Sequence, residues 1–481
     1  MPDRRSLLAL LAATAAGPAW AAPSGMAERR RAVETGLLRR VELAGQAPPR
    51  FALLDRMARY RVPAASVAVI DKGRIDWAAA YALQPRLGAP ISDRTLFQAA
   101  SISKSFTGAL AMRLAQAGEL NLDAPIETYL PIPLPPGEQT ADHPVTLRNL
   151  LAHSAGATVG GFDGYETGAA IPTDRQVVLG EAPANSPTVR IATRPDTRYA
   201  YSGGGYTLAE LAIETRMGVE FGALMDRWVL KPLALGRSTF AQPLPAPLRA
   251  DYAPGHFYDA TEIPGGAHTY PEQAAAGLWT TPSDLARFAL AIREAWLHGS
   301  PFMSQAAARQ YLTPHFENYA MGLAVLGEGP LLRFIHQGGN VGYKCRYLLF
   351  LESGSGVAVM TNSDNGMVLT NEIIQAVSDV YGWPDFKPRR ETPVPTDAAG
   401  LAPYLGAWRF DRFEDRYPNR LEFVRQGADF ALSTPDLGLL QLVATGPRQL
   451  VALDGGAVIA FSGEASPQKM TVSGRPASRL A

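Results

Sequence analysis

Two hydrophobic patterns divide this chain. Through its middle, apolar residues recur every three or four positions, as at Phe106, Leu110 and Leu114, and this spacing predicts amphipathic helices. Shorter apolar or alternating runs predict β-strands before and after the helical part. These strands are predicted at residues 66–70, 74–78, 331–336, 343–351 and 356–361. Strands on both sides of helices indicate an α+β domain, in which helices flank an antiparallel sheet.

The pattern changes near residue 386. Residues 386–402 are rich in proline, charged and small residues, a composition typical of a linker. From 403 to 481, short apolar runs are separated by glycine, proline and aspartate turns, which predicts a small antiparallel β-barrel. The sequence therefore predicts a main domain over residues 45–385, a linker and a C-terminal barrel domain.

The N-terminus has the pattern of an export signal. Arg4 and Arg5 precede a short apolar run, and the small residues of the segment 19–21 are typical of a cleavage site. We therefore predict a signal peptide over residues 1–21, compatible with either twin-arginine or general export, and a periplasmic or secreted protein without a stable membrane anchor. The lone Cys345 is far from the cleavage site, which argues against a lipid anchor.

Composition excludes several function classes. Lysine plus arginine equals aspartate plus glutamate at 45 each, so there is no electrostatic case for a nucleic-acid partner. The seven histidines form no H-x-H or H-E-x-x-H pair, and neither a metal nor a cofactor is predicted. The expected partner is a small-molecule or short-peptide substrate, and the oligomeric state is left open.

One short motif carries the chemistry. Ser101 and Lys104 lie one helical turn apart at the start of a predicted helix, so the amine can reach the hydroxyl and accept its proton. Free N–H groups at a helix N-terminus also suit a developing oxyanion. A second S-x-x-K match, at residues 466–469, contains a proline and precedes no helical run. We therefore predict that Ser101 is a nucleophile and Lys104 its base.

Two further motifs follow in order. They are Tyr201-Ser202-Gly203 and, on a predicted strand that runs into glycines, His336-Gln337-Gly338. With Ser101 and Lys104, they make the chain resemble the serine β-lactamase and penicillin-binding-protein superfamily. Its class C-like branch includes D-alanyl-D-alanine carboxypeptidases, D-aminopeptidases and family VIII esterases. The resemblance implies a sheet backed by helices with an all-helical subdomain, and a lipocalin-like C-terminal module, which has a structural role or covers the cleft.

The resemblance also implies roles for the motif residues. Lys104 would act as a neutral amine, and Tyr201 would carry protons to the leaving group, its pKa lowered by positive neighbours. Tyr199 competes with Tyr201 for that role. His336 would supply positive charge or a hydrogen bond. The oxyanion hole would be formed by the N–H groups of Ser101 and of Gly339, which follows Gly338 of the third motif.

Two departures from the family pattern bear on the substrate. Gly203 stands where many relatives carry asparagine, which argues against efficient β-lactam hydrolysis, and His336 stands where β-lactamases usually carry lysine. We therefore predict an exported serine hydrolase that acts through an acyl-enzyme on amide or ester bonds, including those of D-amino-acid peptides or β-lactams. The alternative is a penicillin-binding or sensor protein that is acylated at Ser101 with little turnover.

Overall fold

The computed structural model describes residues 25–84, 90–411, 419–462 and 469–480. The predicted signal peptide lies outside the described residues. The helices are α1 Met26–Thr35, α2 Leu53–Tyr60, α3 Ser103–Gln116, α4 Leu147–Leu151, α5 Asp174–Leu179, α6 Gly203–Met217, α7 Phe221–Met225, α8 Gln273–Ala276, α9 Pro282–His298, α10 Gln305–Tyr311, α11 Gly366–Val380 and α12 Ala398–Leu401. Each of these helices is too short or too polar to span a bilayer.

The first ten strands along the described chain are β1 Val41–Leu43, β2 Ala64–Asp71, β3 Arg74–Ala82, β4 Phe97–Gln98, β5 Trp279–Thr280, β6 Ala324–Leu326, β7 Arg333–Asn340, β8 Tyr343–Phe350, β9 Gly356–Thr361 and β10 Arg389–Glu391. Six of them form the main sheet, which is antiparallel and has the order β3-β2-β9-β8-β7-β6. The chain leaves the sheet after β3, forms most of the helices, and returns at β6. The α+β fold class predicted from the sequence is therefore confirmed.

Both faces of the sheet are buried, which explains why β2 is a continuous apolar run. Val67 and Val69 pack on one side with α1, α2 and α11, whereas Ala68 and Ile70 pack on the other side with α3 and α9. A strand that is covered on both faces has no polar face. The serine-bearing helix α3 thus lies between the sheet and the remaining helices.

Strand β7 differs from its prediction. We predicted that it ends at His336 and is followed by a glycine turn, but it continues to Asn340 and pairs Gly338 with Cys345. Glycine is needed there because a Cβ on Gly338 would lie 2.1 Å from the Ala99 carbonyl oxygen. The glycines therefore allow close packing of the segment that carries Ser101 against the strand.

The C-terminal strands form a closed eight-stranded antiparallel barrel, as predicted. They are β11 Gly406–Phe410, β12 Arg420–Gln426, β13 Asp429–Thr434, β14 Gly438–Gly446, β15 Gln449–Ala452, β16 Val458–Phe461, β17 Lys469–Val472 and β18 Arg475–Arg479. Buried aromatic side chains pack together inside the barrel, among them Trp408, Phe423, Phe430 and Phe461. The domain bounds stay a prediction, although part of the expected linker forms β10, which pairs with β1.

A buried ion network joins the barrel to the main domain. The Arg56 guanidinium lies 2.5 Å from a Glu372 carboxylate oxygen and 2.7 Å from one of Asp454, which belongs to the barrel. Asp454 also contacts Arg39 at 3.2 Å. Because breaking a buried ion pair leaves a charge without its partner, this network holds the barrel in one position on α2 and α11.

Candidate active site

Ser101 lies on a single 3-10 turn, Ala100–Ile102, that leads directly into α3. The Lys104 amine is 3.2 Å from the Ser101 hydroxyl and donates a hydrogen bond of 2.8 Å to the Ala275 carbonyl. Lys104 is only 2% exposed, and burial lowers the pKa of its amine to about 7 because it disfavours the charged form. The structure thus contains the predicted contact between Ser101 and Lys104, and the burial of Lys104 accounts for the lowered pKa of its amine.

The turn that carries Ser101 is strained and held from several sides. Ala100 has a φ of 50°, a left-handed conformation that costs energy for a residue with a Cβ. The Ser103 hydroxyl donates to the Ala100 carbonyl at 2.6 Å, and the Cys345 thiol donates to the Ala99 carbonyl at 3.0 Å. The sequence assigned no such role to Cys345, because the two segments are far apart in the chain.

Tyr201 lies one residue before Ser202, the N-cap of α6, and reaches the same serine. Its side chain interacts with that of Ser101, and its ring centre is 5.1 Å from the Lys104 amine. The expected lowering of the Tyr201 pKa does not occur: burial of the hydroxyl raises it to about 12, although the contact with Ser101 acts in the opposite direction. Tyr201 is nevertheless 37% exposed as a whole, so the ring extends from the buried hydroxyl to the surface.

The structure separates the two candidate tyrosines. Tyr199 packs its ring against Tyr319 at 5.6 Å and against His153 at 5.9 Å, while Tyr201 contacts Ser101. Burial also raises the pKa of Tyr199. This arrangement favours Tyr201 over Tyr199 as the group that exchanges a proton at Ser101.

His336 is neutral in this structure, which corrects the expectation that it supplies positive charge. Burial, with the nearby Lys104, lowers the pKa of its imidazole to about 3. Its Nδ1 lies 2.7 Å from the Gln337 carbonyl, which can only accept, so Nδ1 carries the proton. Nε2 then accepts a hydrogen bond of 2.6 Å from the Tyr319 hydroxyl. The hydrogen-bonding role expected of His336 therefore remains, without the positive charge.

His153 is a site residue that the sequence reasoning did not single out. Its Nδ1 accepts the Ser202 N–H at 3.0 Å, and its ring centre is 4.2 Å from that of Tyr201. Burial lowers the pKa of His153 well below its ordinary range, so it too is neutral. His153 therefore supports Tyr201 through both the backbone and the ring. It lies on a turn with a φ of 58°, which no local pattern reveals.

The end of β7 packs against the turn that carries Ser101. A two-residue turn joins β7 to β8, so Asn340 and Tyr343 form a hydrogen-bonded pair, and Gly339 and Lys344 form the next, non-hydrogen-bonded pair. The Gly339 N–H therefore points away from β8. Because Gly338 packs on Ala99, the serine turn lies against this end of the strand.

Replacement of Gly338 by alanine is expected to damage both the fold and the site. The new Cβ would lie 2.1 Å from the Ala99 carbonyl oxygen and 2.7 Å from the Cys345 sulfur, so the serine turn must move. We expect a loss of about 1–3 kcal/mol in the free energy of unfolding, together with slower acylation. Denaturant unfolding and the rate of Ser101 labelling measure the two effects. Gly339→Ala, whose Cβ meets only the flexible Lys344 side chain at 3.3 Å, is the matched control for stability.

A pocket of about 260 Å³ opens beside these groups. It is lined by Tyr199, Tyr201, Tyr319, Ala324, Ile335, His336 and Gln337. Its walls are mainly aromatic and aliphatic, with the polar groups of tyrosine, histidine and glutamine among them. Such a pocket suits a compact substrate with an apolar part.

The sheet is antiparallel and helices cover both of its faces. Ser101, Lys104 and Tyr201 meet where α3 begins. Together these features define a class of α+β proteins in which a serine at the start of a helix is placed to act as a nucleophile. The chain belongs to the Beta-lactamase family, whose pattern matches residues 52–380. The resemblance stated from the three motifs is therefore confirmed.

Relatives of the chain include hydrolases and penicillin-binding proteins. It is 29% identical over 248 residues to esterase EstB of Burkholderia gladioli, covering 48% of this chain and 61% of the esterase. It is 31% identical over 184 residues to penicillin-binding protein 4 of Amycolatopsis lactamdurans, covering 37% of this chain and 45% of that protein. The chain thus spans less than two thirds of the length of either relative.

Solved structures share the fold. The octameric penicillin-binding protein homologue from Pyrococcus abyssi superposes with a TM-score of 0.58 at 21% identity, covering 88% of this chain and 98% of that one. A D-stereospecific amidohydrolase from Streptomyces superposes with a TM-score of 0.52 at 22% identity, covering 67% and 96%. At these identities, the likeness establishes the fold alone.

Proposed function

We propose that this protein is a serine hydrolase that cleaves amide or ester bonds of small molecules or short peptides through an acyl-enzyme. The observation that carries the proposal is the 3.2 Å contact between the Ser101 hydroxyl and a buried Lys104 amine with a pKa of about 7. A serine is a weak nucleophile without such a base. Close to neutral pH, a large share of this amine is uncharged and can accept the proton.

The geometry supports a role for each group in acylation. Ser101 attacks the carbonyl carbon as its proton moves to Lys104, whose amine is oriented by its hydrogen bond to the Ala275 carbonyl. Tyr201, protonated because burial raises its pKa to about 12, donates a proton to the leaving group as the bond between that group and the carbonyl carbon breaks, and the Lys104 ammonium returns a proton to Tyr201. The N–H groups of Ser101 and Gly339 are proposed to stabilise the oxyanion. Water, activated by the same groups, then releases the acid and restores Ser101.

The surroundings of Gly203 support a peptidase, amidase or esterase rather than an efficient β-lactamase. A Cβ at this position would lie 2.9 Å from the Phe162 ring, so an asparagine side chain would fit only if that ring moved. The names of the relatives agree with this choice, since they include an esterase and a teichoic acid D-alanine hydrolase of Staphylococcus aureus, 22% identical over 277 residues. We therefore propose esters and D-amino-acid amides as the first substrates to test.

The activity is expected to rise with pH through about 7. Below its pKa, Lys104 is an ammonium ion and accepts no proton, so kcat/KM should increase about tenfold per pH unit and level off above about pH 7. Tyr201, with a pKa of about 12, and the neutral His336 add no second inflection between about pH 8 and 10. Initial rates on a p-nitrophenyl ester, measured at constant ionic strength from below the lysine pKa of about 7 up to about pH 10, check the profile. A rate that does not change with pH would contradict it.

The alternative, a sensor that is acylated and barely turns over, is kept because penicillin-binding protein 4 is among the relatives. Intact-protein mass spectrometry with a p-nitrophenyl ester, a D-amino amide and a penicillin, alongside product release, separates the two. Multiple turnovers on the ester or amide support the hydrolase. A stoichiometric burst and a persistent penicillin adduct, without turnover on any substrate, would favour the sensor.

Export is proposed on the N-terminal pattern alone. Arg4 and Arg5, the apolar run and the small residues at 19–21 support removal of residues 1–21 and a periplasmic or secreted location. N-terminal sequencing of the protein recovered from a producing cell tests this. Ala22 is the expected first residue, and material that still begins at Met1 would contradict the proposal.

A further inference from the structure

A cluster of carboxyl groups lies between two helices, on the helical side of the fold. Asp174 is the first residue of α5, while Glu210 and Glu214 lie one turn apart on α6. One carboxylate oxygen from each of the three comes within 4.8 Å of the others. Glu210 is fully buried, so this cluster is not an ordinary solvated surface patch.

The groups that act most strongly on the cluster are further carboxylates, so they do not balance its negative charge. Burial and neighbouring carboxylates raise the pKa of Asp174 and of Glu210. Glu214 and Glu272 act on both, and Glu220 acts on Asp174. The arginine that follows Asp174 on α5 pairs instead with Glu181 at 2.9 Å. Such a concentration of negative charge is stable only with a bound cation or with protons.

A further buried carboxylate, on a separate element, acts on the cluster. Glu272, just before α8, has no exposed surface, and its carboxylate oxygens accept no hydrogen bond from any other described residue. Its charge acts on both Asp174 and Glu210. The Oε1 atom of Glu210 and the Oε1 atom of Gln273 are also buried without a partner among the described residues. Buried acceptors without donors are costly, so these oxygens point to a missing ligand.

We propose that Asp174, Glu210 and Glu214, with Glu272 beside them, form a binding site for a divalent cation, and that the cation is Ca²⁺. Carboxylate oxygens without sulfur or imidazole suit a hard cation rather than zinc. Ca²⁺ takes six to eight oxygens at about 2.3–2.6 Å, so two of its ligands lie at most about 5 Å apart. The 4.8 Å limit within the cluster fits that range.

The site is connected to the Ser–Lys pair through α8. The Ala274 N–H donates to Glu210 Oε2 at 2.9 Å, and the Ala274 carbonyl accepts from Thr107 on α3 at 2.9 Å. The next carbonyl along α8, that of Ala275, accepts from the Lys104 amine. A cation at Glu210 would therefore hold in place the short helix that orients the proposed base.

The test measures binding directly, without any substrate. The mature full-length chain is treated with a chelator, and CaCl₂ or MgCl₂ is titrated into it by calorimetry and in thermal unfolding. We expect Ca²⁺ to bind and to raise Tm by a few degrees, on the order of what a ligand at 100 times its Kd provides. Glu210→Gln, which keeps the shape of the side chain, should lose at least tenfold in Ca²⁺ affinity. Without Ca²⁺, it should be as stable as the parent, because a buried charge is removed.

Matched variants make the result decisive. Glu181→Gln removes a nearby exposed carboxylate that pairs with Arg175, and it should bind Ca²⁺ like the parent. Glu214→Gln repeats the test at a second ligand if Glu210→Gln does not fold. The proposal is overturned if the parent binds neither cation, if it binds only Mg²⁺, or if the Glu210 and Glu214 variants both bind Ca²⁺ normally. Since no step of the test uses hydrolysis, failure here leaves the proposed hydrolase unaffected.

Discussion

Ser101→Ala is expected to abolish both covalent labelling and hydrolysis, with kcat on an ester falling by about 10⁶-fold, as when a serine hydrolase loses its nucleophile. The substitution removes the attacking oxygen. No other serine of the motif has its hydroxyl beside both Lys104 and Tyr201, so none can replace it. The measurement is the mass of the intact protein after exposure to a fluorophosphonate, together with product release. The parent should gain one adduct and the variant none.

Ser105→Ala is the matched control for this result. Ser105 lies on the same helix, but its hydroxyl is buried and donates to the Gly322 carbonyl at 3.0 Å, away from Lys104. Loss of the Ser105 hydroxyl should lower the free energy of unfolding by about 1 kcal/mol. The adduct on Ser101 should still form. An adduct that persists in Ser101→Ala and disappears in Ser105→Ala would mean that the nucleophile has been assigned to the wrong residue.

The part of the site that the sequence predicted is the part built from local geometry. Ser101 and Lys104 are three residues apart, so helical structure alone brings the amine to the hydroxyl. Likewise, a continuous apolar run such as β2 indicates a strand covered on both faces. Both features depend on residues that are close together in the chain, so residue spacing and hydrophobic pattern predict them.

The features that the sequence did not reveal depend on distant packing. The charge of His336 is decided by burial and by the nearby Lys104, and its hydrogen bond comes from Tyr319, seventeen positions away in the chain. Burial likewise raises the pKa of Tyr201, which the sequence reasoning expected to be lowered. No motif marks Tyr319 or His153, because their importance comes from rings that meet only in the folded protein.

The carboxyl cluster shows the same limit. Histidine spacing predicted no metal, and Asp174 and Glu210 are 36 positions apart on different helices. Glu210 and Glu214 are spaced i and i+4, which on an exposed helix is an ordinary pattern. Only the burial of Glu210 and the approach of Glu272 set this pair apart.

Substitution of Lys104 is expected to have the second-largest effect. Lys104→Met keeps the length of the side chain and removes the amine, so the rate of Ser101 acylation should fall by about 10²–10⁴-fold, as for loss of a general base. The inflection near pH 7 should vanish with it, because no other group at Ser101 has a pKa close to 7. Single-turnover labelling across the pH range measures both.

Lys104→Arg separates proton transfer from simple positive charge. The guanidinium keeps its proton at every pH of the assay, so this variant retains the charge but cannot act as the base. We therefore expect Lys104→Arg to be as slow as Lys104→Met and equally insensitive to pH. If Lys104→Arg instead labelled at nearly the parent rate, the charge rather than the free amine would activate Ser101, and the neutral-lysine mechanism would be wrong. Burial of Lys104 argues for the first result, because it lowers the pKa of the amine to about 7 and so leaves a large share of it uncharged at neutral pH.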